Sequence, residues 1–148
     1  MQNLSAAVIR PQLPLVAERV AKGRANHDHV AARLNASAYL EVPEPLGPEV
    51  RAPDSIQFNL TGGWTDAQAL GFQAATKARG VAVQVFGLSE GNARAFWNWK
   101  FLGEQPDLPQ TRAMLMRACD VRLPTRLTEA ELDYIADAIV DAAAEVRG

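Results

Sequence analysis

The C-terminal stretch carries an apolar stripe that constrains the fold more than any other feature of the sequence. Thr128 and Glu131 form the pattern of a capping box, in which each side chain accepts the other residue's backbone N–H at a helix start. Apolar residues then recur at helical spacing, with Asp133, Asp137 and Asp141 opposite. The stripe consists of Leu132, Ile135, Ala136, Ile139, Val140 and Ala143. A helix with one apolar face must pack it against another layer, so the chain has to build a core here.

Residues 55–60 supply the clearest strand pattern for that second layer. Ile56, Phe58 and Leu60 alternate with polar residues, which predicts a strand buried on one face. Residues 81–86 place valines on one face and predict a second good strand. Residues 38–42 and 119–123 are predicted to form shorter extended segments.

Three further helices fit between these strands. A helix from Pro14 to about residue 36 follows a break at Pro11. A second runs from the Thr65 and Gln68 capping box to about residue 78, and a third covers about 110–118. The resulting order predicts an α+β domain: a small, mainly antiparallel sheet covered by helices, with long N-terminal and C-terminal helices. We expect one domain over residues 1–148, with residues 1–13 as a lead-in helical segment and 14–148 as the compact part.

Composition narrows the class of protein. The 148 residues carry a formal charge of −2 and one cysteine. This balance gives no basic surface for nucleic acid, and one cysteine excludes an internal disulfide framework. The apolar runs are too short to cross a bilayer, and the N-terminus lacks the pattern of a secretory signal. We therefore expect a cytoplasmic protein with neither nucleic acid nor membrane as a partner.

Few residues suggest chemistry by themselves. His27 and His29 lie two apart on a helix and face different directions, which favours a buried or interface histidine over a shared metal ion. Cys119 has no histidine nearby in sequence that could act as its base, which favours a packing role over a nucleophilic one. Gly62 and Gly63 precede a helix and could receive an anion, although a strand-to-helix turn is the favoured interpretation. The sequence predicts no metal site and no catalytic constellation.

The densest aromatic cluster is Trp97-Asn98-Trp99-Lys100. Aromatic rings beside a lysine and an amide can stack on a ring or a sugar, and they can equally belong to a core or a subunit interface. The chain has three lysines, Lys22, Lys77 and Lys100, and none stands in a recognisable Schiff-base context.

Six short motifs follow one another along the chain. They are Leu4-Ser5-Ala6-Ala7-Val8 with Gln12-Leu13, residues 18–26, Ala78-Arg79-Gly80-Val81, Leu108-Pro109-Gln110-Thr111, Arg122-Leu123-Pro124, and residues 127–133. In the same order, the DegT/DnrJ/StrS family of sugar aminotransferases has a helix start and a Gln-Leu after its cofactor domain, an Arg-rich helix, a Lys-Gly-Ile turn, a Leu-Pro-x-Thr, a Leu-Pro and a Leu-Thr-x-x-Glu-Leu. The chain therefore resembles this family over essentially its whole length.

The resemblance implies the C-terminal small domain of a fold-type I enzyme that uses pyridoxal phosphate (PLP). Such enzymes are homodimers that transfer an amino group, commonly from glutamate or glutamine, to a keto sugar or related ketone. The family's cofactor lysine, its aspartate and its stacking aromatic belong to a large domain upstream. The Gly-x-Asn-x-Arg motif would fall before Met1. The family's Tyr-Pro and histidine are replaced near residues 86–88 and Asn92.

These departures set the expectations for function. With the large domain absent, no catalytic or cofactor-binding residue is assigned to this chain. PLP is not expected to bind the chain alone, which should be catalytically silent. If the chain completes a large domain, Trp97, Asn98, Trp99 and Lys100 are the residues expected on the substrate side.

Two other functions remain open from the sequence. The first is a non-catalytic α+β binding or dimerisation module that associates through its sheet or through Leu4, Val8 and Ile9 of the first segment. The expected partner is then a second copy or the missing large domain. The second, less favoured, is a small independent enzyme with a cysteine or histidine nucleophile.

Overall fold

The computed structural model describes residues 3–91 and 93–148, with the side chains of residues 3 and 4 left undescribed. Asn92 and the side chain of Leu4, both singled out above, therefore lie outside the described part. The helices are α1 (Asn3–Ile9), α2 (Val16–Asn35), α3 (Asp66–Ala78), α4 (Pro109–Leu115) and α5 (Glu129–Arg147). The strands are β1 (Leu40–Glu41), β2 (Ser55–Leu60), β3 (Gln84–Val85) and β4 (Ala118–Arg122). Short 3-10 helices cover Arg10–Leu15, Phe86–Leu88, Phe96–Asn98 and Lys100–Leu102.

The four strands form one sheet in the order β1-β2-β4-β3, and every neighbouring pair is antiparallel. Strand β4 therefore lies between β2 and β3, although it is the last strand in the chain. Phe58 of β2 and Val85 of β3 both stand opposite Cys119 of β4. The predicted α+β arrangement of helices on a small antiparallel sheet is confirmed.

One face of the sheet, which we call the inner face, packs against helices α2, α3 and α5. It presents Ile56, Phe58, Val85, Cys119 and Val121, all buried. The helices contribute apolar residues to the same core cluster, and Phe72 meets Phe58 edge-on with ring centroids 6.3 Å apart. The core helix residues are Val30, Leu34, Ala69, Phe72, Leu132, Ala136, Ala138, Ile139, Ala142 and Ala143.

The predicted capping boxes are both formed. Thr65 accepts the backbone N–H of Gln68, and the Gln68 side chain accepts the backbone N–H of Thr65. Thr128 and Glu131 make the same reciprocal pair at the start of α5. Because these bonds satisfy N–H groups that no helical carbonyl can reach, both helices begin where the local sequence places them.

The prediction of a strand over residues 81–86 is wrong about its length. Only β3 (Gln84–Val85) joins the sheet, because the backbone N–H groups of Val81 and Val83 bond locally to the carbonyls of Thr76 and Val81. Val81 and Val83 are nevertheless buried. The alternating valines therefore indicate which side chains are buried, but not that the backbone pairs with a neighbouring strand.

Two other boundaries differ from the expectation. Helix α2 begins at Val16, because Pro14 lies inside the 3-10 turn that follows the break. Helix α4 ends at Leu115, and β4 takes up the chain at Ala118. Within the described ranges no helix is both long and apolar enough to span a membrane.

Candidate binding cavity on the outer face of the sheet

The outer face of the sheet carries a polar row across three strands. Residues directly opposite each other on antiparallel strands point to the same face. Gln57 of β2 and Gln84 of β3 both stand opposite Asp120 of β4, and Ser55 stands opposite Arg122. The face opposite the core is therefore built from amides, a carboxylate and a guanidinium.

Asp120 is the unusual member of this row, because it is 91% buried while Gln57 and Gln84 are exposed. Its Oδ1 atom is buried and has no hydrogen-bond partner. The nearest cation is Arg94, whose Nη1 lies 4.0 Å from Oδ1. That distance permits electrostatic attraction but is too long for a hydrogen bond.

Arg94 is positioned by the segment that follows β3. Its guanidinium lies over the ring of Phe86, 4.5 Å from the centroid, in a cation–π contact. Phe86 is buried at the start of the 3-10 helix after β3. The segment 93–99 thereby brings a cation to the outer face beside Asp120.

Together these side chains line an open cavity of about 380 Å³. Its polar lining comes from Gln84, Arg94, Asp120 and Arg122, and the exposed Ala82 and Ala93 also line it. Arg122 is also paired with the carboxylate of Asp54. The cavity thus combines one carboxylate, two guanidinium groups, an amide and small apolar patches.

The predicted aromatic cluster lies in two consecutive 3-10 turns and is held by bonds to its own loop. Asn98 Nδ2 donates to the carbonyl of Ser89 at 2.9 Å, and the Trp99 indole N–H donates to the carbonyl of Ala93. The guanidinium of Arg112 covers the Trp97 ring at 4.8 Å. Lys100 is exposed. The four residues are neighbours on the surface, and none of them is among the lining of the Asp120 cavity.

The two histidines occupy separate environments. His27 is buried, with Nδ1 3.3 Å from Asp28, whereas His29 lies 2.8 Å from Asp133 of α5. Arg33 also reaches Asp133, so α2 and α5 are joined by a polar cluster beside their packed faces. Within residues 3–91 and 93–148 no three His, Cys, Asp or Glu side chains are grouped to hold a metal ion.

Cys119 and the Gly62-Gly63 pair have structural rather than chemical roles. Cys119 is fully buried on the inner face, and burial raises the pKa of its thiol well above the usual 9.0, so the reactive thiolate is disfavoured. Gly62 and Gly63 have φ angles of 86° and 76°, which suit glycine. The carbonyl of Gly62 accepts a hydrogen bond from Arg147 at 2.7 Å. The pair turns the chain from β2 toward α3.

The residues present do not fit PLP as a bound cofactor. Lys22, Lys77 and Lys100 are all exposed, whereas a lysine that holds PLP needs an enclosed site with groups around the ring and the phosphate.

Sequence reasoning missed the Asp120 cavity. The sequence analysis placed the polar residues of β2 opposite its buried face and singled out no residue of β4 except Cys119. A carboxylate inside a short apolar strand was the available signal. The neighbours that bury it come from β2, β3 and residue 94, and no local pattern indicates that pairing.

Neither a protein-family model nor a curated protein sequence matches the chain. Several solved structures do match. Aminotransferase TlmJ from Streptoalloteichus hindustanus matches with a TM-score of 0.80 at 14% identity, over 97% of this chain and 37% of that one. The likeness shows a shared fold.

Two other solved structures give the same result. An aminotransferase from Psychrobacter cryohalolentis has a TM-score of 0.70 at 20% identity, covering 100% of this chain and 40% of its own. The putative sugar aminotransferase Spr1654 from Streptococcus pneumoniae, in its PMP form, gives 0.74 at 16% identity, over 99% and 36%. The chain therefore spans well under half the length of the aminotransferases whose fold it shares.

Proposed function

We propose that this chain is the C-terminal small domain of a PLP-dependent aminotransferase of the DegT/DnrJ/StrS kind. The observation that carries the proposal is the extent of the match: 97–100% of this chain superposes on 36–40% of three aminotransferases. One of these is the putative sugar aminotransferase Spr1654 in its PMP form, and PMP is the aminated form of PLP. The amino acceptor proposed is a keto sugar or related ketone.

The chain would supply one side of the active site but not the lysine to which PLP is attached. The surface segment Trp97 to Lys100 is the proposed substrate side, with the Trp97 ring fixed by Arg112 and Asn98 fixed by Ser89. A lysine-bearing region outside residues 1–148 would hold PLP. The proposed setting is a cytoplasmic homodimer.

The first test reads the DNA in frame upstream of the Met1 codon. We expect a continuing frame that encodes a PLP-binding lysine and a Gly-x-Asn-x-Arg motif. The protein from that longer frame is expected to transaminate a keto sugar with glutamate or glutamine. A stop codon immediately upstream, preceded by a ribosome-binding site, would contradict the proposal.

The second test uses the 148-residue chain itself. After incubation with PLP and desalting, we expect no visible absorbance from retained cofactor. A matched control replaces Lys22, Lys77 and Lys100 with arginine and should behave identically. Retained PLP in the unmodified chain and its loss in the control would show that the chain holds the cofactor by itself.

A second candidate function is an association module, favoured by apolar side chains left exposed at the N-terminal end. Val8, Leu13 and Val16 are 62%, 61% and 49% exposed. Exposed apolar surface of this kind drives self-association or packing on another domain. Sedimentation of the chain at several concentrations tests this candidate, and a monomer throughout would remove self-association.

A further inference from the structure

We propose that the open edge of strand β2 at Ser55 and Gln57 binds an extended peptide of another protein by strand addition. This surface, which we call the β2 edge, consists of the backbone groups of these two residues that face the β1 side, together with the cavity beside them. The inference goes beyond the proposed function and does not rest on it. None of the cavity lining belongs to the Trp97 to Lys100 segment assigned above to the substrate side.

The hydrogen-bond pattern shows which backbone groups of β2 lie on that edge. In an antiparallel sheet, alternate residues of a strand bond to the neighbour on one side, and the residues between them bond to the other side. The N–H of Leu60 donates to the carbonyl of Arg117, next to β4, so the even-numbered residues of β2 bond towards β4. The N–H of Thr61 donates to the carbonyl of Tyr39, next to β1, so the odd-numbered residues bond towards β1. The backbone groups of residues 55 and 57 therefore point to the β1 side.

Two prolines stop β1 from covering this edge. Strand β1 pairs with β2 as far as Glu41. Continued in the same register, the chain would place Pro43 opposite Gln57. It would then place Pro45 opposite Ser55. Because proline has no backbone N–H, neither position can donate to the carbonyls of β2, and the ladder ends where the prolines begin.

The segment after β1 is also bonded elsewhere. In a continued ladder the carbonyl of Pro43 would accept the N–H of Gln57, but it accepts from Arg51 Nη2 at 3.3 Å instead. Arg51 Nε donates to Glu49 at 2.7 Å, and Arg24 of α2 donates to the Arg51 carbonyl at 2.6 Å. Within the described residues the β2 edge therefore has no ladder partner. Unpaired N–H and C=O groups on a strand edge are a template for another strand.

The cavity beside the edge favours a narrow main chain over a compact ligand. Its volume of about 220 Å³ is below the roughly 300–1,000 Å³ of small-molecule sites. An extended peptide supplies N–H and C=O groups on alternate residues, which is the spacing between Ser55 and Gln57. The cavity is lined by His27, Pro43, Glu49, Arg51, Pro53, Ser55 and Gln57.

His27 adds a side-chain preference. The residue is 9% exposed, its Nδ1 lies 3.3 Å from Asp28, and its other ring nitrogen has no hydrogen-bond partner in the described part of the chain. His27 comes from α2, which packs on the inner face, so it is nearest to a peptide side chain that shares the face of Ile56. A hydroxyl can donate or accept and therefore pairs with either tautomer of the ring. The peptide is expected to carry serine or threonine at that position.

The test is titration of the isotopically labelled 148-residue chain with the blocked peptide acetyl-Thr-Val-Thr-Val-Thr-amide, followed by NMR. We expect saturable shifts of the backbone amides of Ser55 and Gln57, and slower hydrogen exchange at Gln57. The same peptide N-methylated at both valines lacks the N–H groups that would meet the edge and should give no saturable shift. A peptide with alanine in place of every threonine should bind about fivefold more weakly, because it offers His27 no hydroxyl.

Gln57→Pro is the protein variant, because it removes an N–H that faces the edge and leaves the bonds of β2 to β4 in place. It should weaken peptide binding about tenfold. Gln57→Ala keeps the N–H and should retain binding, which separates a backbone contact from a side-chain contact. The N-methylated peptide needs no change to the protein, so the proposal stays testable if Gln57→Pro fails to fold.

Three results would overturn the proposal. The first is the absence of any saturable shift at Ser55 and Gln57 in the folded chain. The second is equal binding of the N-methylated peptide, which would show that strand addition is not the mode of contact. The third is a concentration-dependent shift of the Gln57 amide in the chain alone, which would assign the edge to a second copy of this protein.

Discussion

The two faces of the sheet use the same strands for opposite purposes. On β2, Phe58 points into the core and is 1% exposed, while its neighbour Gln57 faces outward and is exposed. On β4, Cys119 packs under the helices and Asp120 opens into a polar cavity. One register thus divides each strand into a buried apolar face that stabilises the fold and a polar face outside the core.

This difference between the faces predicts where substitutions should change stability. The inner face is closed by α2, α3 and α5, and its contacts are apolar and mutually dependent. The outer face holds polar side chains such as Gln57 and Gln84, which are exposed and whose loss removes little packing. The stability of the fold should therefore depend on the inner face more than on the outer face.

The largest expected effect concerns the reactivity of Cys119. Because its thiol is fully buried and burial raises its pKa, labelling requires the chain to open. We expect a disulfide reagent at pH 8 to react about 1,000-fold more slowly with the folded chain than with the chain in urea. Fast labelling of folded protein would show that the inner face is not closed.

The next effect separates the two faces directly on β2. Phe58→Ala removes a buried ring that contacts Phe72, and should lower the free energy of unfolding by about 3–5 kcal/mol. Gln57→Ala changes the adjacent exposed residue and should stay within about 0.5 kcal/mol. Urea denaturation of the two variants measures both values. Similar losses of unfolding free energy in the two variants would contradict the claim that the inner face stabilises the fold more than the outer face.

A smaller effect is expected at the start of α5, the helix whose stripe covers the inner face. Thr128→Ala removes the side chain that accepts the Glu131 backbone N–H, and should cost about 1 kcal/mol. Thr128→Ser keeps the acceptor and serves as the control. The same urea titration measures both, and a loss in the serine variant equal to that in alanine would contradict a capping role.

The smallest effect is a pH dependence at the same cap. Hydrogen bonds from Thr128 lower the pKa of Glu131 below its usual 4.5. A carboxylate with a lowered pKa adds stability that is present above its unfolded pKa and is lost as pH falls through the folded value. We expect Glu131→Gln, which keeps the cap without titrating, to lose less stability than the unmodified chain below about pH 4.5. Parallel denaturation curves at pH 3 and pH 7 measure this, and identical losses would exclude the contribution.

Much of the fold was predictable because its signals are local. The bounds of β2, the capping boxes and the α5 stripe depend on residues within a few positions of one another. The length of the strand at residues 81–86 was overestimated. Alternating valines indicate buried side chains, whereas strand formation also requires backbone hydrogen bonds to a neighbouring strand. Asp120 was overlooked for the same reason, since its neighbours come from residues distant in the chain.

The starts of the two capped helices and the alternation of buried and exposed residues in β2 follow from the sequence, because short-range hydrogen bonds and side-chain periodicity specify them locally. Tertiary structure alone decided that β4 enters the sheet between β2 and β3. That placement brings Gln57, Gln84 and Arg94 to Asp120 and creates the outer cavity. The pairing of strands is settled by the collective packing of three helices on one face, which no single segment encodes.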